Sequence, residues 1–318
     1  MSKVWRLLVR RLLQFLPILV FATFVVFGLL QLVPGDPALA LAGDYASPQR
    51  IAEIRHEYGF DQPMIVQYGI WLWHAMHGNL GVSLFSSEPV TQLIADRLPN
   101  TILIAVYSLI LASAIGIPLG VLAATRNGSK LDAFVTSSAS TGVALPSFWL
   151  AMILALQFSL YRHWFPTTGA AYFFSDPVSA ISHATLPAIS LAVAVIATLA
   201  RQVRSDLLEV LNQQYMRTLR AKGLSNGAIL WKHGLRNVSA TLLTLVGLQV
   251  NRLFSGAVVI EAVFAIPGVG SLVSYSAINK DFPVVQGVVL VLVLIVISVN
   301  LLTDIITSLL DPRVAAAG

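Results

Sequence analysis

The sequence predicts an all-α, polytopic membrane protein with six transmembrane helices and both termini in the cytoplasm. Three observations carry that expectation: a charge-poor composition, six long uncharged stretches, and a one-sided distribution of Lys and Arg. Of the 318 residues, 56% are hydrophobic and only 11% are charged, with a mean hydropathy of +0.78. An ordinary soluble domain carries about 25% charged residues, so this chain cannot cover a water-facing surface of normal polarity. A soluble enzyme is excluded, and so is disorder, which needs low hydrophobicity. One polytopic domain over residues 1–318 accounts for the length. There is no cysteine, which excludes a disulfide scaffold, a thiolate metal site and a cysteine nucleophile.

A helix rising about 1.5 Å per residue needs some 20 apolar residues to cross a hydrocarbon core about 30 Å thick. Stretches of that kind lie at 12–33, 101–125, 133–160, 184–200, 238–260 and 282–303. The first follows Lys3, Arg6, Arg10 and Arg11, as a signal peptide would. Its apolar run is too long for such a peptide, and no small-x-small cleavage site precedes Val33-Pro34-Gly35-Asp36-Pro37. It reads as a retained helix. The fourth is the shortest and carries Pro187 near its start.

Six crossings place both termini on one side, and the basic residues say which. That side holds fourteen Lys and Arg and the other holds five: Arg50, Arg55, Arg97, Arg162 and Lys280. The positive side is the cytoplasm. The high pI is therefore a consequence of topology, and no basic stripe for nucleic acid remains. Residues 34–99 form an external segment. Within it Ser47 reads as an N-cap, Pro48 as the first helical position and Gly59 as the stop, with Ile51, Ile54 and Tyr58 apolar. A second amphipathic helix follows over 63–77, with Ile65, Tyr68, Leu72 and Met76 on one face beside Trp71 and Trp73, suited to the headgroup level of membrane lipid.

A transporter needs an energy source, and this chain does not carry one. No Gly-Lys dipeptide occurs, so there is no phosphate-cradling P-loop. The six spans hold almost no carboxylates for an ion relay, and Asp304 lies at the cytoplasmic end of the last. His74 and His77 share a helix face, but two histidines without a nearby carboxylate do not make a metal site. Gly116 and Gly120 flank Pro118 as a small-xxx-small pair suited to close helix packing. Asn127-Gly128-Ser129 reads as the tight turn between the second and third spans. Arg252 is an intramembrane charge in the fifth span. Either it lines a solute path and favours an anionic group, or it snorkels outward and caps a neighbouring helix.

The cytoplasmic segment 201–237 is the most informative. It is too long for a mere connection and holds seven of the fourteen inward-facing basic residues. Residues 206–222 read as an amphipathic helix with Leu207, Leu208, Leu211, Tyr215 and Leu219 on one face, stopped at Gly223. Ser225-Asn226-Gly227 opens a second short helix through Ile229, Trp231 and Leu235. Two short helices at an angle form a knob for a groove on a partner protein, or a basic hairpin on anionic lipid.

These residues also carry a family resemblance. Tyr215-Met216-Arg217-Thr218-Leu219-Arg220-Ala221-Lys222-Gly223-Leu224, followed by His233-Gly234-Leu235-Arg236-Asn237, resembles the coupling loop of binding-protein-dependent ABC importer permeases, closest to their dipeptide/oligopeptide/nickel branch. Further blocks of that branch are resembled in its order, from Val33-Pro34-Gly35-Asp36-Pro37 and Gly78-Asn79-Leu80-Gly81-Val82-Ser83 through Arg97-Leu98-Pro99-Asn100-Thr101 and Gly116-Ile117-Pro118-Leu119-Gly120. Pro146-Ser147-Phe148-Trp149, Pro267-Gly268-Val269-Gly270 and Asp311-Pro312-Arg313 complete the series, which spans nearly the whole chain.

The resemblance implies a type I ABC importer permease fold, in a bacterial cytoplasmic (inner) membrane. It implies a second permease subunit, often a non-identical homologue, two cytoplasmic ABC ATPases that bind ATP and Mg, and an external solute-binding protein. No cofactor is implied for this chain, and it is not an enzyme. Tyr215, Arg217, Thr218, Leu219, Arg220, Ala221, Lys222, Gly223, His233 and Asn237 are the implied ATPase-coupling residues. Gly223 aligns with the glycine of the broader coupling signature, and Arg217, Thr218 and Leu219 with its leading Glu-Ala-Ala. Small peptides are the implied solute, with a nickel chelate, glutathione, an opine or an oligosaccharide as alternatives. The sequence departs from the branch in lacking a proline at Val238-Ser239-Ala240-Thr241, and in Arg252. A self-contained secondary transporter is the competing class, disfavoured by the shortage of intramembrane ionisable residues.

Overall fold

The computed structural model describes residues 3–32, 37–42, 46–57 and 59–310, and every regular element among them is helical. In chain order these are α1 (Lys3–Gln31), α2 (Pro37–Ala42), α3 (Pro48–Glu57), α4 (Met64–Met76), α5 (Val90–Thr125), α6 (Lys130–Ala144) and α7 (Ser147–Leu154). Then come α8 (Pro177–Leu211), α9 (Gln214–Ala221), α10 (Asn226–Ala228), α11 (Leu235–Val263), α12 (Val269–Ile278) and α13 (Phe282–Leu310). The blocks at Val33 to Asp36 and Asp311 to Arg313 lie outside the described residues, as does Tyr58.

Five helices are long and apolar enough to cross a membrane: α1, α5, α8, the run Asn226–Val263 and α13. The sixth crossing is not one helix. Lys130–Ala144 and Ser147–Tyr161 meet at a bend of 96°. The cause is Pro146, which has no N–H to continue the ladder and forces its predecessor out of helical geometry. Leu145 is accordingly extended, with φ −73° and ψ 122°. The single span expected over 133–160 is thus two half-spans, the second ending in a π-helical stretch over Ala155–Tyr161.

Other boundaries differ for equally local reasons. Asp96, Arg97 and Pro99 kept the sequence reading of the second span from starting before residue 101, yet α5 begins at Val90. The expected short fourth span is a 35-residue helix, opened by Asp176, whose carboxylate accepts from Ser179 N at 3.0 Å, and tolerating Pro187 within it. The short apolar helix α12 had no counterpart in the sequence reading.

The chain divides into two compact units. One comprises Leu8–Thr101 and Pro267–Ile297. Its core gathers Leu80, Val90, Ile94, Leu272, Val284 and Val288. The amphipathic helix α4 lies here. Tyr68 is buried and its hydroxyl hydrogen-bonds Thr23 Oγ1 of α1 at 2.9 Å, while Ile65 and Met76 are exposed. Two of the resembled blocks meet in this unit: Thr101 Oγ1 accepts from Val269 N at 2.9 Å, and Asn100 Nδ2 donates to the Pro267 carbonyl at 2.9 Å. A third block is held by Asp281, a buried carboxylate that receives the Ser83 hydroxyl and the Leu84 amide. A cavity of about 850 Å³ opens in the same unit, beside Phe27, Arg55, Trp71 and His74. Gln67 and Ser83 on its wall already bond to neighbouring protein groups, so it reads as architecture.

The other unit comprises Met1–Leu7, Ile102–Ile266 and Ser298–Gly318. Helix α8 is its centre, with Leu191, Val195 and Leu199 packed on Leu253, Ala257 and Ile260 of α11. Helix α5 approaches α8 closely at its two glycines. A Cβ on Gly116 would stand 2.9 Å from the Ile196 carbonyl, and one on Gly120 2.6 Å from the Ala200 carbonyl. Only residues without a side chain allow that approach.

Candidate functional site

The cytoplasmic segment is built on the end of α8. Leu207 is fully buried, and the helix runs on to Leu211, so the expected helix over 206–222 is interrupted. Gln213 is extended (φ −66°, ψ 152°) and turns the chain into the separate eight-residue helix α9. Met216 is its anchor, fully buried, whereas Arg217, Thr218, Arg220, Ala221 and Lys222 are exposed and Leu219 is half-buried.

Helix α9 ends where the sequence places its stop. Gly223 N donates to the Arg220 carbonyl at 3.0 Å, and Leu224 N reaches back to the Leu219 carbonyl at 3.3 Å. That pair of bonds is a Schellman closure, which needs a left-handed residue at the turn. Gly223 supplies it with φ +81°, and a Cβ there would meet nothing within 4 Å. Its requirement is conformational and not one of space.

The second short helix is not separate. Ser225 caps α10, Ile229–Gly234 is π-helical, and the helix continues into α11 without a break. No proline stands at 238–241 to interrupt it, which gives the departure noted in the sequence a structural consequence. Gly234 lets this run sit against α8, since a Cβ there would lie 3.1 Å from Leu207 Cδ1.

The two resembled motifs meet at one point. Asn237 Nδ2 donates to the Tyr215 hydroxyl at 2.8 Å and to the His233 carbonyl at 2.8 Å. Partial burial raises the Tyr215 pKa, so the hydroxyl stays protonated and the contact does not titrate near neutral pH. Arg220 reaches the Leu211 carbonyl at the end of α8 at 3.4 Å. Tyr215, His233 and Asn237 are thus brought together, while Arg217, Thr218 and Lys222 face outward. Trp231 is 70% exposed nearby. The result is a basic, aromatic-tipped corner fixed by its own hydrogen bonds.

Arg252 stands in the middle of α11 with its side chain exposed. Its Nη1 lies 3.4 Å from Thr198 Oγ1 and 3.5 Å from Gln249 Oε1, at the long limit of hydrogen bonding. The exposed positions along this helix include Thr244, Leu248, Arg252, Ser255 and Val259, spaced by three and four. Along the apolar stretch of α5 from 102 to 122, the exposed positions Ile102, Val106, Ile110, Ile115 and Leu122 carry no polar group. Hydrocarbon suits the second stripe and not the first.

A further ionic site escaped the sequence reading. Asp132 in the first turn of α6 receives both arms of the Arg204 guanidinium from α8, one of them at 2.7 Å. Its signal was present as Ser129-Lys130-Leu131-Asp132, a capping pattern at a helix start. A buried carboxylate also stands at Glu261, one residue past the fifth span as the sequence drew it.

The family described as "Binding-protein-dependent transport system inner membrane component" matches residues 116–316, and its N-terminal counterpart matches residues 4–105. The chain belongs to this family. The permease is 39% identical over 310 residues to the oligopeptide transport system permease protein AppB of Bacillus subtilis, covering 96% of this chain and 98% of that one. It is 36% identical over 331 residues to the dipeptide transport system permease protein DppB of Escherichia coli (strain K12), with the same coverage. Among solved structures it resembles a chain of the MetNI methionine ABC transporter in an inward-facing conformation, with a TM-score of 0.59 and 22% identity. That likeness covers 71% of the permease and 99% of the other chain, and shows the fold. The permease is an inner-membrane transport subunit and not an enzyme.

Proposed function

We propose that the permease forms the translocation path of an ATP-driven importer for small peptides. It works beside a second, homologous permease subunit, two cytoplasmic ATPases that bind ATP and Mg, and an external solute-binding protein. The observation that carries this reading is the corner at Gly223. It is a solvent-facing knob held by the Tyr215–Asn237 bond and mounted on two helices that continue into the membrane. Such a knob fits a groove on a partner and passes the partner's motion into the spans. Peptide cargo is supported by the relatives named for oligopeptide and dipeptide transport. The polar stripe through Arg252 is the wall facing the path, and its guanidinium attracts the carboxylate end of the cargo.

Reconstitution of the permease with its native ATPases and binding protein in proteoliposomes tests the reading. Uptake of dialanine and trialanine that requires ATP and the loaded binding protein is expected. Uptake by the permease without ATPases would overturn it in favour of a secondary transporter.

A further inference from the structure

The Asp132–Arg204 pair joins α8, which carries the coupling corner, to the start of α6. Asp132 is buried, with 6% of its side chain exposed, and Arg204 has 27% exposed; the surface pair Arg50–Glu53 stands at 57% and 65%. The carboxylate is fully engaged. Beyond the two guanidinium bonds, Oδ2 accepts from Gly128 N at 2.9 Å and Oδ1 from Thr136 Oγ1 at 3.4 Å. The remaining reach of Arg204 goes to Asn127 Oδ1 at 3.1 Å. The α5–α6 turn is thereby folded around the tip of one arginine.

Apolar packing would hold these helices together as well, and a buried ion pair is weak evidence of stability alone. What a two-armed guanidinium adds is direction, because its planar fork accepts one orientation of the carboxylate. Arg204 sits on α8 about 10 Å before that helix ends and the chain turns into α9. Asp132 sits at the start of α6, the first half of the broken crossing, whose second half α7 packs on α8 and α11.

We propose that Asp132 and Arg204 are positioning residues that make the broken crossing follow the coupling corner. Motion delivered to α9 enters α8, and the fork hands it to α6 at a fixed angle. The proposal rests on the importer reading given above.

The test uses the whole reconstituted complex, with uptake of dialanine and ATP hydrolysis measured together. Asp132→Asn, Arg204→Gln and the double variant should assemble with the ATPases and hydrolyse ATP. Uptake per ATP should fall about tenfold, and the double variant should be no worse than the worse single. Should a neutralised variant fail to assemble, Arg204→Lys, which keeps the charge and loses the fork, is judged by the same ratio. Assembled variants with unchanged uptake per ATP would overturn the proposal alone, because a purely structural clamp changes the amount of complex and not that ratio. A wild-type complex without ATP-dependent uptake would instead overturn the importer reading, and this proposal with it.

Discussion

Gly223 and Arg252 illustrate what a single position contributes. At Gly223 the backbone adopts φ +81° with open space around it, so any L side chain there works against backbone sterics alone. Gly223→Val should cost about 1–2 kcal/mol locally and tilt α9 against the following helix. The protein should still reach the membrane, while uptake falls severely and ATP turnover loses its stimulation by loaded binding protein. Normal stimulated hydrolysis with wild-type uptake would show that the corner does not couple. At Arg252, replacement by Gln removes the charge-assisted bond proposed for the cargo carboxylate. Uptake of peptides with a free C-terminal carboxylate should drop about tenfold more than that of their amidated counterparts. A uniform loss of folded protein would assign Arg252 a structural role. Gly223 was legible in the sequence because a glycine after an amphipathic run has one common use. Asp132 was harder, since its partner lies 72 positions away and no local pattern names it.

Among the elements, the glycine face of α5 is the most exacting contact. A Cβ on Gly120 would stand 2.6 Å from both the Ala200 carbonyl and Val203 Cβ, atoms that cannot swing aside. Gly120→Val should therefore destabilise the detergent-purified permease by about 1–3 kcal/mol, read as a lower thermal midpoint. An unchanged midpoint would mean that α5 can move off α8 freely. Helices were read from the sequence where hydropathy alone decides them, as in α1 and α13. They were misjudged where charge or packing decides. The start of α5 was hidden by Asp96 and Arg97, and the bond that ties α4 to α1 joins Tyr68 and Thr23, two residues far apart in the chain. Pro146 was noted as part of a motif, but uncharged residues on both sides of it masked the break.

For the whole molecule, the bias of fourteen basic residues against five makes topology the most direct check. Reporters fused at residues 124–127 or 213–225 should report cytoplasm, and those at 43–59 the external side. Cytoplasmic signal from the last set would refute six crossings. The elbow at Leu145–Pro146 bears on what surrounds those crossings. Where α6 stops, its last carbonyls lose their helical partners, and the proline beyond has no N–H to offer one of them. An oily surrounding gives such groups nothing to bond, at several kcal/mol each. Such groups are better served by water or a polar neighbour beside the elbow than by lipid. A cysteine introduced at Val143, in a chain that has none of its own, should then react with a charged thiol reagent faster than one at Ile110, an exposed position on the apolar stripe of α5. Equal, slow labelling at both would mean that the elbow is dry. If it is wet, hydration of the path begins with one proline, before any cargo arrives.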